Sequence, residues 1–341
     1  MSTPASETPV PPAELESRPS ERSGAAARLE KKRMLIVVNP FARTVSSRLK
    51  NLVVYALQSR YEVEAITTEA QNHATEISRE AKAEGHDIVV AFGGDGTLNE
   101  VVNGIAGTDI AFSVLPGGST NVVARTLGIP NDVVDATEHL LALADDFRPR
   151  PIDVGVANGR RFLFSCGAGL DATAAQMVDS RPAMKRRGGR WFYASAAVGG
   201  FYRRYLTDPV RMRLRVGDRE IEGITALCQN SDPFTFFGDR AIRVCENVAL
   251  DSGTLSIAML KRAAQRDVPT IMARIFNDSM SAGEHRQIEH FTGVSAATVS
   301  SLSADQAGER RSFPVQLDGE YVGDHIDLEL SIDPGALRVV A

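Results

Sequence analysis

The residues best suited to chemistry lie in one stretch, FGGDGTLNEVVNG, at positions 92–104. It follows an apolar run at 87–91 and continues with helical periodicity, which predicts a strand, a tight turn and a helix with almost no loop between them. Because Gly93, Gly94 and Gly96 carry no Cβ, the backbone of this turn can approach a ligand closely. Amide groups in such a turn, beside a helix N-terminus, form a site suited to phosphates.

Asp95 distinguishes this turn from the many glycine turns that only connect a strand to a helix. A carboxylate among three glycines would repel phosphates unless a divalent cation or a ribose hydroxyl took it up. Thr97 and Glu100 have the S/T-x-x-E spacing of a capping box, which predicts where the helix begins. We therefore interpret the turn as a candidate nucleotide site in which Asp95 is either a metal ligand or the partner of a ribose hydroxyl.

A second glycine turn, PGGSTN at 116–121, follows an apolar strand predicted at 110–115. Hydroxyl clusters at such positions are more often helix caps than ligands. Two such turns, one of them containing an aspartate, nevertheless favour a nucleotide site. The candidate binding residues of the second turn are Gly118, Ser119, Thr120 and Asn121.

Strands and helices alternate up to about residue 150, which predicts a doubly wound parallel sheet covered on both faces. The predicted strands are 34–39, 61–67, 87–92 and 110–115, and the predicted helices are 49–57, 73–84, 97–106, 120–127 and 133–144. Ligands of such sheets bind beyond the carboxyl ends of the strands. Asn39 and both glycine turns fall at that edge.

The pattern changes near residue 150. Asn158-Gly159 predicts a hairpin leading into a strand at 161–166, and beyond about 207 short alternating runs are typical of an antiparallel β-sandwich. We therefore predict a nucleotide-binding α/β domain at 33–150 and a β-rich domain at 151–332. Residues 1–32 have hardly a large apolar side chain and are predicted to be a disordered tail.

Composition excludes several classes of protein. A hydrophobic content of 43% and a charged content of 24% are those of an ordinary globular protein. The net charge of −5 argues against a general nucleic-acid binder. Three cysteines without a close pair indicate a reducing cytoplasm, and neither a signal pattern nor an apolar run of membrane-spanning length is found.

The turn GGDGT, followed at once by Leu98-Asn99-Glu100, resembles the catalytic domain of diacylglycerol kinases and sphingosine kinases, most closely the soluble bacterial lipid kinases. The resemblance covers roughly residues 33–341. It implies an ATP-dependent lipid kinase with a cleft between its two domains, a lipid-binding second domain, and a last strand, 333–341, that returns to the first domain. It also implies a set of ATP-binding residues: Asn39, Pro40, Arg43, Gly93, Gly94, Asp95, Gly96, Thr97, Glu100 and Thr120.

Asp318-Gly319-Glu320 lies between two alternating segments, where Asp-Gly is a common hairpin turn. The family carries its general base in this element, so the resemblance implies that Asp318 or Glu320 accepts the proton of the substrate hydroxyl. The two residues are two positions apart. In an extended strand both side chains would point to one face.

Two further carboxylates are candidate metal ligands. Asp153, in IDVG, matches a family position near the cleft, although a strand-end carboxylate in solvent is an equal alternative. The family usually supports a structural magnesium with an Asp-Gly pair, but here Ser252 stands where the aspartate is expected, directly after Asp251. A hydroxyl is a poor ligand for a hard cation, so this second site is predicted to be absent or shifted to Asp251.

The segment 181–206 is basic and aromatic, and it favours either a helix packed on the β-rich domain or a surface that contacts an anionic membrane. The predicted function is an ATP- and Mg²⁺-dependent kinase of diacylglycerol, cytoplasmic with peripheral membrane contact. Alternatives are a kinase of a sphingoid base or another lipid alcohol, an NAD kinase-like enzyme, and a nucleotide-binding regulator without catalysis. Assembly as a homodimer stays open.

Overall fold

The computed structural model describes residues 31–180, 208–262, 264–275, 277 and 280–341. The chain from Lys31 to Ala341 forms one compact unit. The tail predicted at 1–32 lies outside the described residues except for its last two, and the basic and aromatic segment at 181–206 lies outside them altogether. None of the helices described is long and apolar enough to cross a membrane.

The first part of the chain alternates strands and helices. Its elements are β1 (Arg33–Val38), α1 (Ser47–Leu57), β2 (Glu62–Thr67), α2 (His73–Glu80), β3 (Ile88–Gly93), α3 (Asp95–Ile105), β4 (Ala111–Pro116), α4 (Val122–Thr126) and α5 (Val133–Leu143). The four strands are parallel, in the order β2-β1-β3-β4. Every residue of β3 and β4 is buried, as expected when helices cover both faces of a parallel sheet. The predicted doubly wound arrangement is confirmed.

Local sequence signals fix two of these helices. The side chain of Ser46 accepts a hydrogen bond from Leu49 N and caps α1. The side chain of Asp132 accepts from the backbone amides of Val134 and Asp135 and caps α5 in the same way.

The second part of the chain is mostly antiparallel. Its elements are β5 (Arg150–Ala157), β6 (Arg160–Phe162), β7 (Ser165–Ala168), α6 (Leu170–Asp179), β8 (Met212–Val216), β9 (Arg219–Gly223), β10 (Thr225–Gln229), β11 (Thr235–Phe237), β12 (Arg240–Ile242), β13 (Leu255–Leu260), α7 (Val268–Ile275), β14 (Ile288–Val294), β15 (Ala296–Ser301), β16 (Phe313–Leu317), β17 (Glu320–His325) and β18 (Asp327–Val339). One sheet has the order β14-β13-β10-β7-β16-β17. Apolar side chains from this sheet and from β8, β15 and β18 share one core, which confirms the predicted sandwich.

Strand β18 joins the two parts. It pairs antiparallel with β15 and β5, and near its end it runs parallel to β4, with Arg338 beside Ala111. The Ser113 hydroxyl also donates to the carbonyl of Val340 at 2.7 Å. The first sheet therefore continues without a break, in the order β2-β1-β3-β4-β18-β15-β8-β9.

Three features differ from the sequence predictions. The strand predicted at 161–166 is divided, because β6 belongs to the first sheet and β7 to the second. The helix predicted at 73–84 ends at Glu80. Helices α6 and α7 were not predicted, since short apolar patterns of this length fit a strand as well as a helix.

Candidate active site

The two glycine turns lie against each other at the carboxyl ends of β3 and β4. Gly117 N donates to the carbonyl of Gly93 at 2.7 Å. A Cβ added to Gly117 would lie 3.1 Å from the Cα of Gly93, and one added to Gly118 would lie 2.9 Å from the Cα of Gly94. Because backbone cannot give way as a flexible side chain can, these contacts require glycine. The turns predicted to bind a nucleotide therefore form one continuous backbone surface.

The loop after β1 is attached to both turns. Asn39 donates through Nδ2 to the Thr97 hydroxyl at 2.9 Å, and its Oδ1 accepts from Phe41 N at 2.9 Å. Thr44 N donates to the carbonyl of Gly117 at 3.2 Å. Three strand ends thus converge on one edge of the sheet. The predicted residues at the more exposed rim of this edge are Pro40, Arg43, Ser119 and Thr120.

Asp95 is the first residue of α3, and its Oδ1 accepts from Val123 N, at the start of α4, at 3.4 Å. Burial raises the pKa of Asp95 to about 7, although the amides of Val122 and Val123 oppose the rise. The negative charges of Asp318 and Glu320 raise this pKa further. A carboxylate in such surroundings lacks positive charge, and a divalent cation would supply it.

The predicted capping box is wrong. Helix α3 begins at Asp95, and its N-cap, Gly94, has no side chain to cap it. Glu100 instead accepts from Asn72 N at 2.9 Å and from Ala74 N at 3.2 Å. Both oxygens therefore serve the start of α2, and the carboxylate is turned away from the glycine turn to which we had assigned it as a ligand.

The side chain of Asn121 also forms hydrogen bonds within the protein. Its Oδ1 accepts from Gly118 N at 2.8 Å, while its Nδ2 donates to Asn131 Oδ1 at 2.8 Å and to the carbonyl of Gly118 at 3.3 Å. The residue is buried and adopts a left-handed φ of 50°. Its amide therefore closes the second turn, whereas the sequence had suggested that it faces the nucleotide.

The carboxylate of Asp318 is buried and accepts four hydrogen bonds. Oδ2 accepts from Asn99 Nδ2 and from Leu163 N, both at 2.8 Å. Oδ1 accepts from Phe164 N at 2.9 Å and from Ser165 N at 3.1 Å. Burial raises the pKa of Asp318, and these four donors oppose the rise. They also occupy the directions from which a substrate proton would arrive.

Glu320 points in a different direction. Its carboxylate lies against Gly96, so close that a Cβ at this glycine would overlap Oε1. The expectation that Asp318 and Glu320 share one face is wrong, because Asp318 and Gly319 form a turn with φ values of 50° and 83°. The hairpin of the second part of the chain thus brings Glu320 to the GGDG turn of the first part.

Asp153 does not reach this cluster. Its Oδ2 accepts from Gly253 N at 2.6 Å and its Oδ1 from Gly335 N at 2.9 Å, so it ties β5 to the loop before β13 and to β18. The hydroxyl of Ser252 donates to the carbonyls of Ala249 at 2.9 Å and Thr254 at 3.1 Å, closing that same loop.

The three predicted metal ligands do not form one group. Among the residues described, one set of three potential ligand side chains lies within 4.8 Å, and it consists of Glu64, Glu84 and His86. Asp251 is exposed, and Asp153 is buried behind backbone amides. Of the three predicted metal ligands, Asp95 therefore has the surroundings best suited to a cation.

Three residues near the hairpin were missed as site residues: Asn99, Asp171 and Gln316. Gln316 offered a sequence signal, because it is the one polar residue in the strand FPVQL and it is fully buried. Asn99 lies in the GGDGTLNE stretch itself, but its partner Asp318 is 219 positions away. No local pattern indicates a contact over such a separation.

The fold and this site define a two-part protein in which a glycine-rich sheet edge, suited to phosphates, meets a hairpin of the second part. Residues 33–157 match the diacylglycerol kinase catalytic domain, and residues 165–341 match the YegS C-terminal NAD kinase beta sandwich-like domain. The chain belongs to this lipid kinase family and is an ATP-dependent kinase.

Individual proteins agree with the family assignment. A diacylglycerol kinase of Staphylococcus aureus (strain bovine RF122 / ET3-1) is 26% identical over 313 residues, covering 89% of this chain and 92% of the relative. A diacylglycerol kinase of Bacillus subtilis (strain 168) is 36% identical over 143 residues, which are 40% of this chain and 46% of the relative. The crystal structure of a diacylglycerol kinase from Bacillus anthracis has the same fold, with a TM-score of 0.65 at 20% identity over 91% of this chain and 96% of that one.

Replacing Gly96 should separate the hairpin from the turn. In Gly96→Ala the new methyl group overlaps Glu320 Oε1, so we expect the Glu320 side chain to move by about 1 Å or more and kcat for phosphate transfer to fall by about 10²-fold. Steady-state kinetics with ATP and lipid would measure this. An unchanged kcat would contradict the placement of Glu320.

A second change in the same background serves as the control. Glu320→Asp shortens the side chain by one methylene, which removes the overlap with the alanine. The double variant should therefore have the same kcat as Glu320→Asp alone, because the alanine then adds no overlap.

Proposed function

We propose that this kinase transfers the γ-phosphoryl group of ATP to the hydroxyl of diacylglycerol. The observation that carries the proposal is the contact between Glu320 and Gly96, which joins a carboxylate to the turn suited to phosphates. The names of the relatives support diacylglycerol as the acceptor.

The polyphosphate binds at the two glycine turns. Backbone amides at the start of α3 lie at this sheet edge, where a helix N-terminus favours negative charge. Asn39 and Thr97 hold the loop after β1 against the first turn, and Arg43 lies at its exposed rim. These residues fix the position of the phosphates, and positioning supplies much of the catalysis in phosphoryl transfer.

Asp95 holds Mg²⁺ in this proposal. The fit rests on its half-buried carboxylate at the first turn of α3, whose pKa is raised to about 7 because desolvation and two neighbouring carboxylates disfavour its charge. When bound, the ion neutralises charge that develops on the phosphate oxygens. Asp153 and Asp251 are not part of this site, because Asp153 is engaged by two backbone amides elsewhere.

Glu320 is the proton acceptor. As the acceptor oxygen attacks the γ-phosphorus, the bond to the β-phosphate oxygen breaks, ADP leaves, and the hydroxyl proton passes to the Glu320 carboxylate. Asp318 holds the hairpin, because its oxygens already accept from four N–H groups. This assignment chooses between the two carboxylates that the sequence left open.

The acceptor distinguishes this proposal from its alternatives. A sphingoid base or another lipid alcohol would use the same hydroxyl chemistry, NAD would be a soluble acceptor, and a regulator would transfer nothing. Contact with an anionic membrane would bring the enzyme to a lipid substrate. The membrane contact and a homodimer stay predictions.

One assay tests the function directly. Incubation with ATP labelled at the γ-phosphate and mixed micelles of diacylglycerol should yield labelled phosphatidic acid in the chloroform phase. Three other results would overturn the proposed acceptor. Label in another lipid would identify a kinase of a different lipid alcohol, and label in NAD would identify an NAD kinase-like enzyme. Label in no product would indicate a regulator without catalysis.

Isosteric substitutions in the hairpin separate the two carboxylates. We expect Glu320→Gln to lower kcat by about 10²–10⁴-fold with ATP affinity retained, because only the proton acceptor is lost. Asp318→Asn replaces two acceptor lone pairs by an N–H₂ group facing backbone donors, so we expect it to lower the free energy of unfolding by about 1–3 kcal/mol. Kinetics and urea unfolding of both variants measure these effects. A Glu320→Gln enzyme with wild-type kcat would exclude Glu320 as the base.

The hydrogen bonds of Ser252 lead to a prediction of how activity responds to free Mg²⁺. Its hydroxyl closes the loop at 249–254 through hydrogen bonds that need no cation. Titration of free Mg²⁺ at fixed MgATP should therefore give no second activation phase, while Ser252→Asp should introduce one. A second phase in the wild type would show that another ligand maintains the additional site.

A further inference from the structure

A polar pair, fully buried Gln316 and half-buried Asp171, lies behind the hairpin. Gln316, in β16, accepts through Oε1 a hydrogen bond from Gly319 N at 2.6 Å. Through Nε2 it donates to Asp171 Oδ2 at 2.6 Å. Asp171 is the second residue of α6, so the glutamine amide bridges this helix and the tip of the hairpin.

Asp171 determines which way the amide of Gln316 points. An ionised carboxylate only accepts hydrogen bonds, so it requires the Nε2 end of the amide and leaves the carbonyl end for Gly319. Ser165 Oγ, 3.4 Å from Nε2, can adapt its hydroxyl to either arrangement. Because Gln316 is fully buried, water cannot replace a lost partner.

The bond to Gly319 controls the hairpin at the point where its two carboxylates diverge. Asp318 is fixed by its own four donors. Glu320 follows Gly319, whose φ of 83° sets the direction in which the chain continues. The hydrogen bond that Gly319 N donates to Gln316 Oε1 therefore holds the turn in the conformation that brings Glu320 to Gly96.

We propose that Asp171 and Gln316 are positioning residues that set the direction of Glu320 toward the GGDG turn. We call the hydrogen bonds that link Asp171, Gln316 and Gly319 the relay. Its effect on catalysis rests on the proposed function, but the relay itself does not. In the part of the chain that the structure describes, the thiol of Cys166, from β7, lies near both Asp171 and Asp318, and its pKa is raised by burial and by the charges of these two aspartates. Burial also raises the pKa of Asp171 to about 6, and the Gln316 amide opposes the rise.

Exchanging the two partners tests the relay. Gln316→Glu places two carboxylates in contact, so at pH 8 we expect a lower urea midpoint and an approximately tenfold lower kcat, with partial recovery at pH 5.5, where the pair shares a proton. Adding Asp171→Asn reverses the polarity of the bond, because the asparagine amide now donates to the glutamate. The double variant should recover at least half of both losses at pH 8.

Asp171→Asn alone keeps an acceptor oxygen but loses its charge, and we expect a threefold fall in kcat with the KM for the lipid unchanged. The same chemical changes at exposed positions, Gln58→Glu with Asp109→Asn, control for net charge and should leave the urea midpoint and kcat as in the wild type.

A double variant no more stable and no more active than Gln316→Glu would overturn the relay. So would a rise in the KM for the lipid as the main effect of Asp171→Asn, because Asp171 would then act on the substrate directly. The urea measurements need no substrate. If the wild type fails to phosphorylate diacylglycerol while the double variant regains stability, the result supports the relay and excludes diacylglycerol as the acceptor.

Discussion

The structure depends on the four hydrogen bonds that Asp318 accepts. Leu163, Phe164 and Ser165 donate from the segment where the chain passes from the first sheet to the second, and Asn99 donates from α3. One buried carboxylate thus connects the nucleotide-binding helix, the crossing between sheets and the hairpin of the β-rich part. Hydrogen bonds to the ionised form offset part of the cost of burying this charge, and the pKa of Asp318 stays raised.

This anchor explains how residues distant in sequence form one site. The GGDG turn is positioned by β3 and α3, whereas Glu320 is positioned by β16 and β17. Strand β18 holds the two parts in one continuous sheet, so the site does not depend on side-chain contacts alone. Glu320 is then directed by the turn at Gly319 and by the amide of Gln316. A carboxylate that takes part in the reaction needs such support, because even a small displacement of it lowers the reaction rate strongly.

The sequence predicted those features that depend on local chemistry. The glycine turns could be recognised because their backbones pack too closely to leave room for a Cβ, as the approach of Gly117 to Gly93 shows. Strands of the parallel sheet could be recognised as continuous apolar runs. The hairpin at Asp318 could be recognised from its Asp-Gly pair. The different partners of its two carboxylates could not, because they follow from left-handed backbone angles at Asp318 and Gly319.

Features that depend on distant partners could not be predicted. Glu100 has the spacing of a capping box, yet its partners lie in α2, 26 and 28 positions away. Asn121 fits a ligand-binding turn, yet Asn131 and Gly118 occupy its amide. Asp153 resembles a metal ligand, yet its partners, Gly253 and Gly335, are 100 and 182 positions away. In each case the residue type was informative, but the geometry that selects its role is formed only by the fold.

Glu320 and the two glycine turns are proposed to act on one phosphoryl group. A crystal structure with Mg²⁺ and a non-hydrolysable ATP analogue would show whether they do. We expect the phosphates to contact the turns at 93–97 and 117–121, with the γ-phosphate on the side facing Glu320. Phosphates bound elsewhere, or a γ-phosphate separated from Glu320 by the body of the protein, would contradict the proposal.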